Sequence, residues 1–570
     1  MPPKHKDLLF KPKPKGKINK AQDPQSENDF LEAADEHEQA AGKWRAGDAA
    51  KATRFFNRAI EVYNEGLKRF PRSFDLAYNK ANLEYNLTQD MRILPHLGPK
   101  IALLEETLES HRAAMQLAPP TNTDILFNTA QVLTSLAEAA LEAETQQFSK
   151  VPARTLLEEA TDLFAQCLLS QEKEYEKVEA EIAQAMKAQQ ESGQDIHAQS
   201  SASAHEDEGN METESTGSSG PDEWATVEEP LTPETILETC TAHLGALTAL
   251  LPLYDPADTQ AIQSKTHQGE YTANKAIPVF IERVQTSPFK KEHDDKSTAG
   301  PTLSLSSTPA SEEFETSPKD DALLAAATFQ AASIEFQYRA AQLSATQYAT
   351  TIEAIFSTLT SKPESPSQQD QSAYLNAVSA YADALIDLAS AISDISPSVP
   401  TDAEIQWTSL THAQKLLTSL TTSNPPILPA SRLADIFLAR GDIELFRFHL
   451  SFTPVGAAKS AWVNSRAVLV ANAGVYYRGA RAYGDKAVAA GTGDANVRDM
   501  ADGKAVVAEV LKEVHATRAG AEGGAGGVVI VKDGWKGKGA KVKRALEQLV
   551  EEGVLGRDEA EGVVGILGEA

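Results

Sequence analysis

Residues 47–60 read GDAAKATRFFNRAI, and the spacing of Ala52, Phe56 and Ala59 constrains the fold sharply. Small, aromatic and small side chains at steps of four and three share one face of an α-helix. Alanine at both ends of that face lets a neighbouring helix approach closely, which points to helix-on-helix packing. Gly47-Asp48 supplies a tight turn immediately before it. Composition agrees: 41% of the 570 residues are hydrophobic but only 6% are aromatic, as suits an Ala/Leu-rich helical protein.

The pattern recurs. After Pro71 comes FDLAYNKANLEYNL (74–87), with Tyr78, Asn79, Ala81, Asn82 and Tyr85 at helical spacing. In HRAAMQLAPPTNTDILFNTAQVL (111–133), Ala114 and Pro119 close one helical pair, and Phe127, Asn128 and Ala130 open the next. EEATDLFAQCLLSQ (158–171) repeats the small–aromatic–small face with Ala160, Phe164 and Cys167. These stretches resemble tetratricopeptide (TPR) repeats, helix–turn–helix units of about 34 residues whose neighbours share one core. The resemblance implies an all-α fold: a TPR-like superhelix of helical hairpins, here interrupted by disordered acidic linkers. It implies that Ala52, Phe56, Ala59, Ala114, Ala160, Phe164 and Cys167 pack helix against helix. It places Tyr78, Asn79, Asn82, Tyr85, Phe127, Asn128 and Gln131 in a concave peptide-binding groove, where asparagines bond the backbone of an extended peptide. Asn82 and Asn128 match the asparagines of the two-carboxylate clamp that holds acidic chaperone tails. The clamp lysine falls on Tyr78, so the clamp is at most partial. The helix from Ala49 runs on to Phe70, and residues 86–100 read as an insertion, so the repeats are degenerate.

Along the chain, residues 1–26 form a basic tail expected to be disordered; its first twenty residues hold seven lysines and one acid. Residues 27–191 are the first repeat group. Residues 192–230, rich in Ser, Gly and acids with a lone Trp224, are an acidic linker. Residues 231–284 form a helical hairpin, opened by Thr232 as N-cap and Pro233 at the first helical position. Its apolar face is Ile236, Leu237, Cys240, Leu244, Leu247 and Leu251. A second linker spans 285–320. Residues 321–490 hold the second repeat group, roughly three hairpins, with helices over 321–359, 373–392, 401–421 and 431–451. In the last, Ala434 precedes a Gly441-Asp442 turn at the distance the family places them. Residues 491–570 are a Gly-containing C-terminal helical segment, read as a small appended piece, in which VVIVKD (528–533) has the composition of a lone strand.

Net charge is −28, from 53 basic and 81 acidic residues. Such a surface disfavours nucleic acid and anionic membranes and attracts basic partners. Two cysteines make no disulfide framework, which suits a reducing compartment, cytoplasmic and/or nuclear. No apolar run of about 20 residues reads as a membrane span. Histidines are scattered without an HExxH pair, no Cys/His set has zinc spacing, and the glycines of 523–539 lack the GxxxxGK[ST] order. No catalytic residue, cofactor or metal is therefore expected. The expectation is a non-enzymatic protein-interaction scaffold, an acidic escort chaperone for a basic client such as a histone or ribosomal protein. The alternative is a TPR adaptor or co-chaperone that binds an extended peptide. Ser287, Thr308, Ser317 and Ser365 each precede a proline and are candidate phosphorylation sites.

Overall fold

The computed structural model describes residues 24–118, 122–142, 150–196, 231–255, 257–286, 316–362, 367–395, 399–422, 428–521 and 532–567. Every regular element among them is helical, and no strand occurs among the described residues. The chain divides into two compact units, Met1–Pro119 and Pro120–Ala570. Most of the basic tail, most of both linkers with Trp224, and residues Ser287, Thr308 and Ser365 lie outside the described residues, as do residues 522–531.

The first unit stacks two helical hairpins. α1 (Glu27–Arg45) pairs with α2 (Ala49–Arg69), and α3 (Phe74–Gln89) pairs with α5 (Lys100–Leu117) across the short α4 (Leu94–Leu97). Local chemistry sets each start. Ser26 and Asp29 close a capping box on α1, and the Asp48 carboxylate accepts from the Lys51 N–H to open α2. Along α2 the buried residues Ala52, Phe56, Ala59, Tyr63 and Gly66 recur at steps of four and three, so one stripe faces α1 and α3. The 86–100 segment is anchored rather than loose. Asp90 is buried, pairs with Arg45 and accepts from the Arg92 N–H, while Ile93 is wholly enclosed.

The second unit begins with the hairpin α6 (Asp124–Glu142) and α7 (Lys150–Ile196). α7 reaches into what the sequence marks as linker. α8 (Pro233–Leu250) starts at the Thr232 cap, and Ile236, Leu237, Cys240, Leu244, Leu247 and Leu251 are all buried. The following helix is interrupted: α9 (Thr259–Tyr271), a π-turn at Thr272–Ala276, then α10 (Ile277–Thr286). Three hairpins follow: α11 (Pro318–Arg339) with α12 (Ala345–Ser357), α13 (Gln368–Ile395) with α14 (Pro400–Thr421), and α15 (Ala430–Leu450) with α17 (Ser460–Ala489), the last joined through α16 (Pro454–Ala457). Two helices, Pro233–Leu253 and Gln369–Ile395, are long and apolar enough to cross a membrane by composition. Both place more than half of that stretch in the protein interior.

Three sequence expectations change. The 321–359 helix is two helices, broken where Ala341 takes φ +58. The Ala341 and Gln342 N–H groups cap the end of α11 at the Tyr338 and Gln337 carbonyls, a Schellman turn with alanine where glycine is usual. Gly441-Asp442 is no turn: both residues sit inside continuous α15. A Cβ at Gly441 would lie 2.3 Å from the Tyr477 ring of α17, so glycine there serves close helix approach. Asp442 accepts from the Tyr477 hydroxyl (2.7 Å) and from the fully buried Lys504 ammonium (3.0 Å). Finally, the C-terminal segment is not a separate appendage. α18 (Ala495–Ala521), α19 (Gly539–Glu551) and α20 (Arg557–Leu567) bury Val507, Leu546 and Val563 in one core with Leu388 and Tyr477. In the 528–533 stretch read as a strand, Asp533 opens a 3-10 turn ending at Trp535.

Candidate functional site

On α3, Tyr78, Asn82 and Tyr85 follow one face at steps of four and three, each half-buried, while Asn79 is exposed beside them. Tyr78 stacks on Phe74 at 5.3 Å between ring centroids, and Tyr85 meets His111 of α5 edge-on at 6.3 Å. The Asn79 amide donates to the Asp75 carbonyl (2.9 Å) along its own helix. Lys80 donates to Ser110 and pairs with Glu84, so this near neighbour of the clamp position is already engaged. On α6 in the second unit, Phe127, Asn128 and Gln131 are half-buried, and Phe127 packs on Phe164 at 5.7 Å. The structure thus groups the first four residues on one element and the last three on another, each within its own unit.

The small–aromatic–small residues are interior. Ala52, Phe56, Ala59, Ala114, Ala160, Phe164 and Cys167 are each at most 2% exposed. Burial pushes the Cys167 thiol up to about 12 and raises Cys240 as well, so both stay protonated and inert at neutral pH. Ser317 is the N-cap of α11. Its oxygen accepts from the Asp320 N–H and its hydroxyl donates to the Asp320 carboxylate, a structural role that accounts for a serine before Pro318.

A different face emerges in the second unit. Asp383 and Asp387 lie one turn apart on α13, beside Glu335 of the adjoining α11. Both aspartates are exposed side chains, although neighbouring helices crowd their carboxyls. Burial first, then Glu335 and Asp383, push the Asp387 carboxyl up to about 7, against the pull of Arg339. Burial raises Asp383 to about 6 despite Arg432. Arg339 is itself held by Glu335 and Asp394, both at 2.7 Å. The face therefore holds carboxylates whose mutual repulsion a bound cation would relieve. In the sequence the pair stands as two acids four residues apart in an otherwise Ala/Leu-rich helix. Among the described residues no group of three His, Cys, Asp or Glu side chains has metal-binding geometry.

No known family profile matches the chain. Over 124 residues it is 31% identical to the UPF0656 protein C926.02 of Schizosaccharomyces pombe (strain 972 / ATCC 24843). The similar stretch covers 21% of this chain and 26% of that protein, so the chain matches about a quarter of that relative's length.

Proposed function

We propose that this chain is a non-enzymatic, TPR-like interaction scaffold that escorts a basic client protein such as a histone or ribosomal protein, in the cytoplasm and/or nucleus. The observation that carries the reading is the acidic surface that Asp383 and Asp387, one turn apart on α13, form beside Glu335 of α11. Like charges gathered on one surface repel, and lysine or arginine side chains would relieve that repulsion. The net charge of −28 adds long-range attraction for the same client. A basic tail on an acidic body suits a nuclear import signal that travels with the load.

The test is a pull-down from native lysate with full-length protein, eluted in salt steps and read by mass spectrometry. The escort reading expects basic proteins released at moderate salt, and their loss when Asp383→Asn and Asp387→Asn are combined. Salt-resistant capture of a neutral partner would sink it. That outcome would favour an adaptor that holds an extended peptide on the half-exposed face of Tyr78, Asn82 and Tyr85, with Asn82→Ala and Asn128→Ala as the variants that matter.

The escort reading also fixes a pH dependence. Both aspartates have raised affinities for protons, and a bound cation drives those protons off. Client affinity should therefore climb as pH rises from 6 to 8 and fall on acidification through 7 and 6. Titration calorimetry in two buffers of different ionisation enthalpy would detect the released protons. A flat profile would remove these two residues from the client site.

A further inference from the structure

One end of the first unit carries charge of the opposite sign to the chain as a whole. Asp90, just past the end of α3, pairs with Arg45 at the end of α1, so the α1–α2 turn and the α3–α5 connection meet at the same end. Within about one turn of that end stand Lys43, Arg45, Lys51, Arg92 and Lys100, against Asp48 and Asp90. Asp90 is buried and taken up by Arg45, and the Asp48 carboxylate caps α2 by accepting from the Lys51 N–H. Among the described residues no carboxylate forms an ion pair with Lys43, Lys51, Arg92 or Lys100. On a chain of net charge −28, this cationic end is the exception.

The same end exposes two large apolar side chains, Trp44 at 42% and Met91 at 66%. The Lys51 ammonium lies 3.1 Å from the centroid of the Trp44 ring, a cation–π contact that orders an indole the core does not cover. Tryptophan, methionine and arginine are enriched where proteins meet, and tryptophan and arginine dominate binding hot spots. Helices pack about 8–10 Å apart, so four of them spread these side chains over no more than roughly 30 Å, which about nine extended residues span.

We propose that this end of the first unit docks a short acidic peptide segment of a partner protein. Carboxylates of the segment pair with Lys43, Arg92 and Lys100, and one apolar side chain seats on Trp44 and Met91. Charge complementarity selects an anionic partner, and the apolar anchors select a peptide over a phosphate backbone. Lys51 already covers one face of the only exposed ring here, which leaves no run of platforms for successive bases. The site does not rest on the escort reading, whose acidic surface belongs to the second unit.

The experiment uses full-length protein labelled with 5-fluorotryptophan, the Trp44 signal being assigned by Trp44→Phe. The probes are the capped peptide EEDEFEDEE, its alanine counterpart EEDEAEDEE, a ten-nucleotide oligouridylate, and vesicles containing phosphatidylserine. The expected result is a displaced ¹⁹F signal of Trp44 with EEDEFEDEE, and binding weakened at least tenfold when Lys43→Glu and Arg92→Glu are combined. Lys512→Glu with Lys543→Glu, which changes the net charge equally at exposed positions of the second unit, should leave that binding unchanged. Trp44→Ala serves as the second variant should the double variant fail to fold, with the same loss expected. An unmoved Trp44 signal, equal binding of the two peptides, or equal losses in both charge-reversed pairs overturns the proposal. So does tighter binding of the oligouridylate or the vesicles, and so does self-association of the free protein that Lys43→Glu with Arg92→Glu abolishes, since the occupant is then a second copy.

Discussion

Of the four Gly-Asp dipeptides in the chain, the one at 47–48 in the first unit and the one at 441–442 in the second do opposite things. At 47–48 the chain turns: the Trp44 carbonyl accepts from both N–H groups, and the Asp48 carboxylate caps α2. At 441–442 the helix runs straight through. There glycine admits the Tyr477 ring, and the aspartate faces inward to a buried lysine and tyrosine hydroxyl. Local propensity proposes a turn in both places. In the second unit, tertiary packing outweighs the roughly 1 kcal/mol that glycine costs inside a helix.

The contrast can be broken at four points, each read by urea unfolding with hydrogen exchange to localise the effect. Asp442→Ala should do the most damage. It strands the Lys504 ammonium in the interior beside the Tyr477 hydroxyl, and removing one partner of a buried ion pair costs about 3–5 kcal/mol. Amide protection should fall across α15, α17 and α18; a loss under about 1 kcal/mol would show that Glu552, 3.9 Å from the ammonium, takes over. Gly441→Ala ranks next. The added methyl collides with Tyr477, so about 1–3 kcal/mol should be lost despite the better helix former. Asp48→Ala removes only a cap and should cost about 1 kcal/mol, confined to α1 and α2. Gly47→Ala comes last and should have the opposite sign. Its Cβ meets nothing within 4 Å and its backbone is ordinary, so a gain of about 0.4–1 kcal/mol is expected from the stiffer unfolded chain. Equal losses for Gly47→Ala and Gly441→Ala would erase the distinction.

What could be read in advance follows the same division. Helical faces were legible wherever a stripe of small and apolar residues was long enough to fix its own period, as along α2 and α8. The Thr232-Pro233 start was legible because capping chemistry is local. The break at Ala341 was not, since an alanine in left-handed backbone carries no mark in the sequence. The acidic face was hidden for a related reason. Asp387 is perturbed first by the helices packed around it and then by Glu335, more than fifty residues earlier, and no periodicity links residues that distant.

The shared core of α11 to α20 has a consequence for how the protein is made. Its members span Ala327 to Val563, so helices that emerge early must wait for partners at the far end of the chain. At ~5–20 residues per second, that wait lasts roughly 10–50 s during synthesis. The first unit, closed by Leu117, can settle long before. A nascent chain that holds strong apolar helices open for tens of seconds is itself a customer for holding factors.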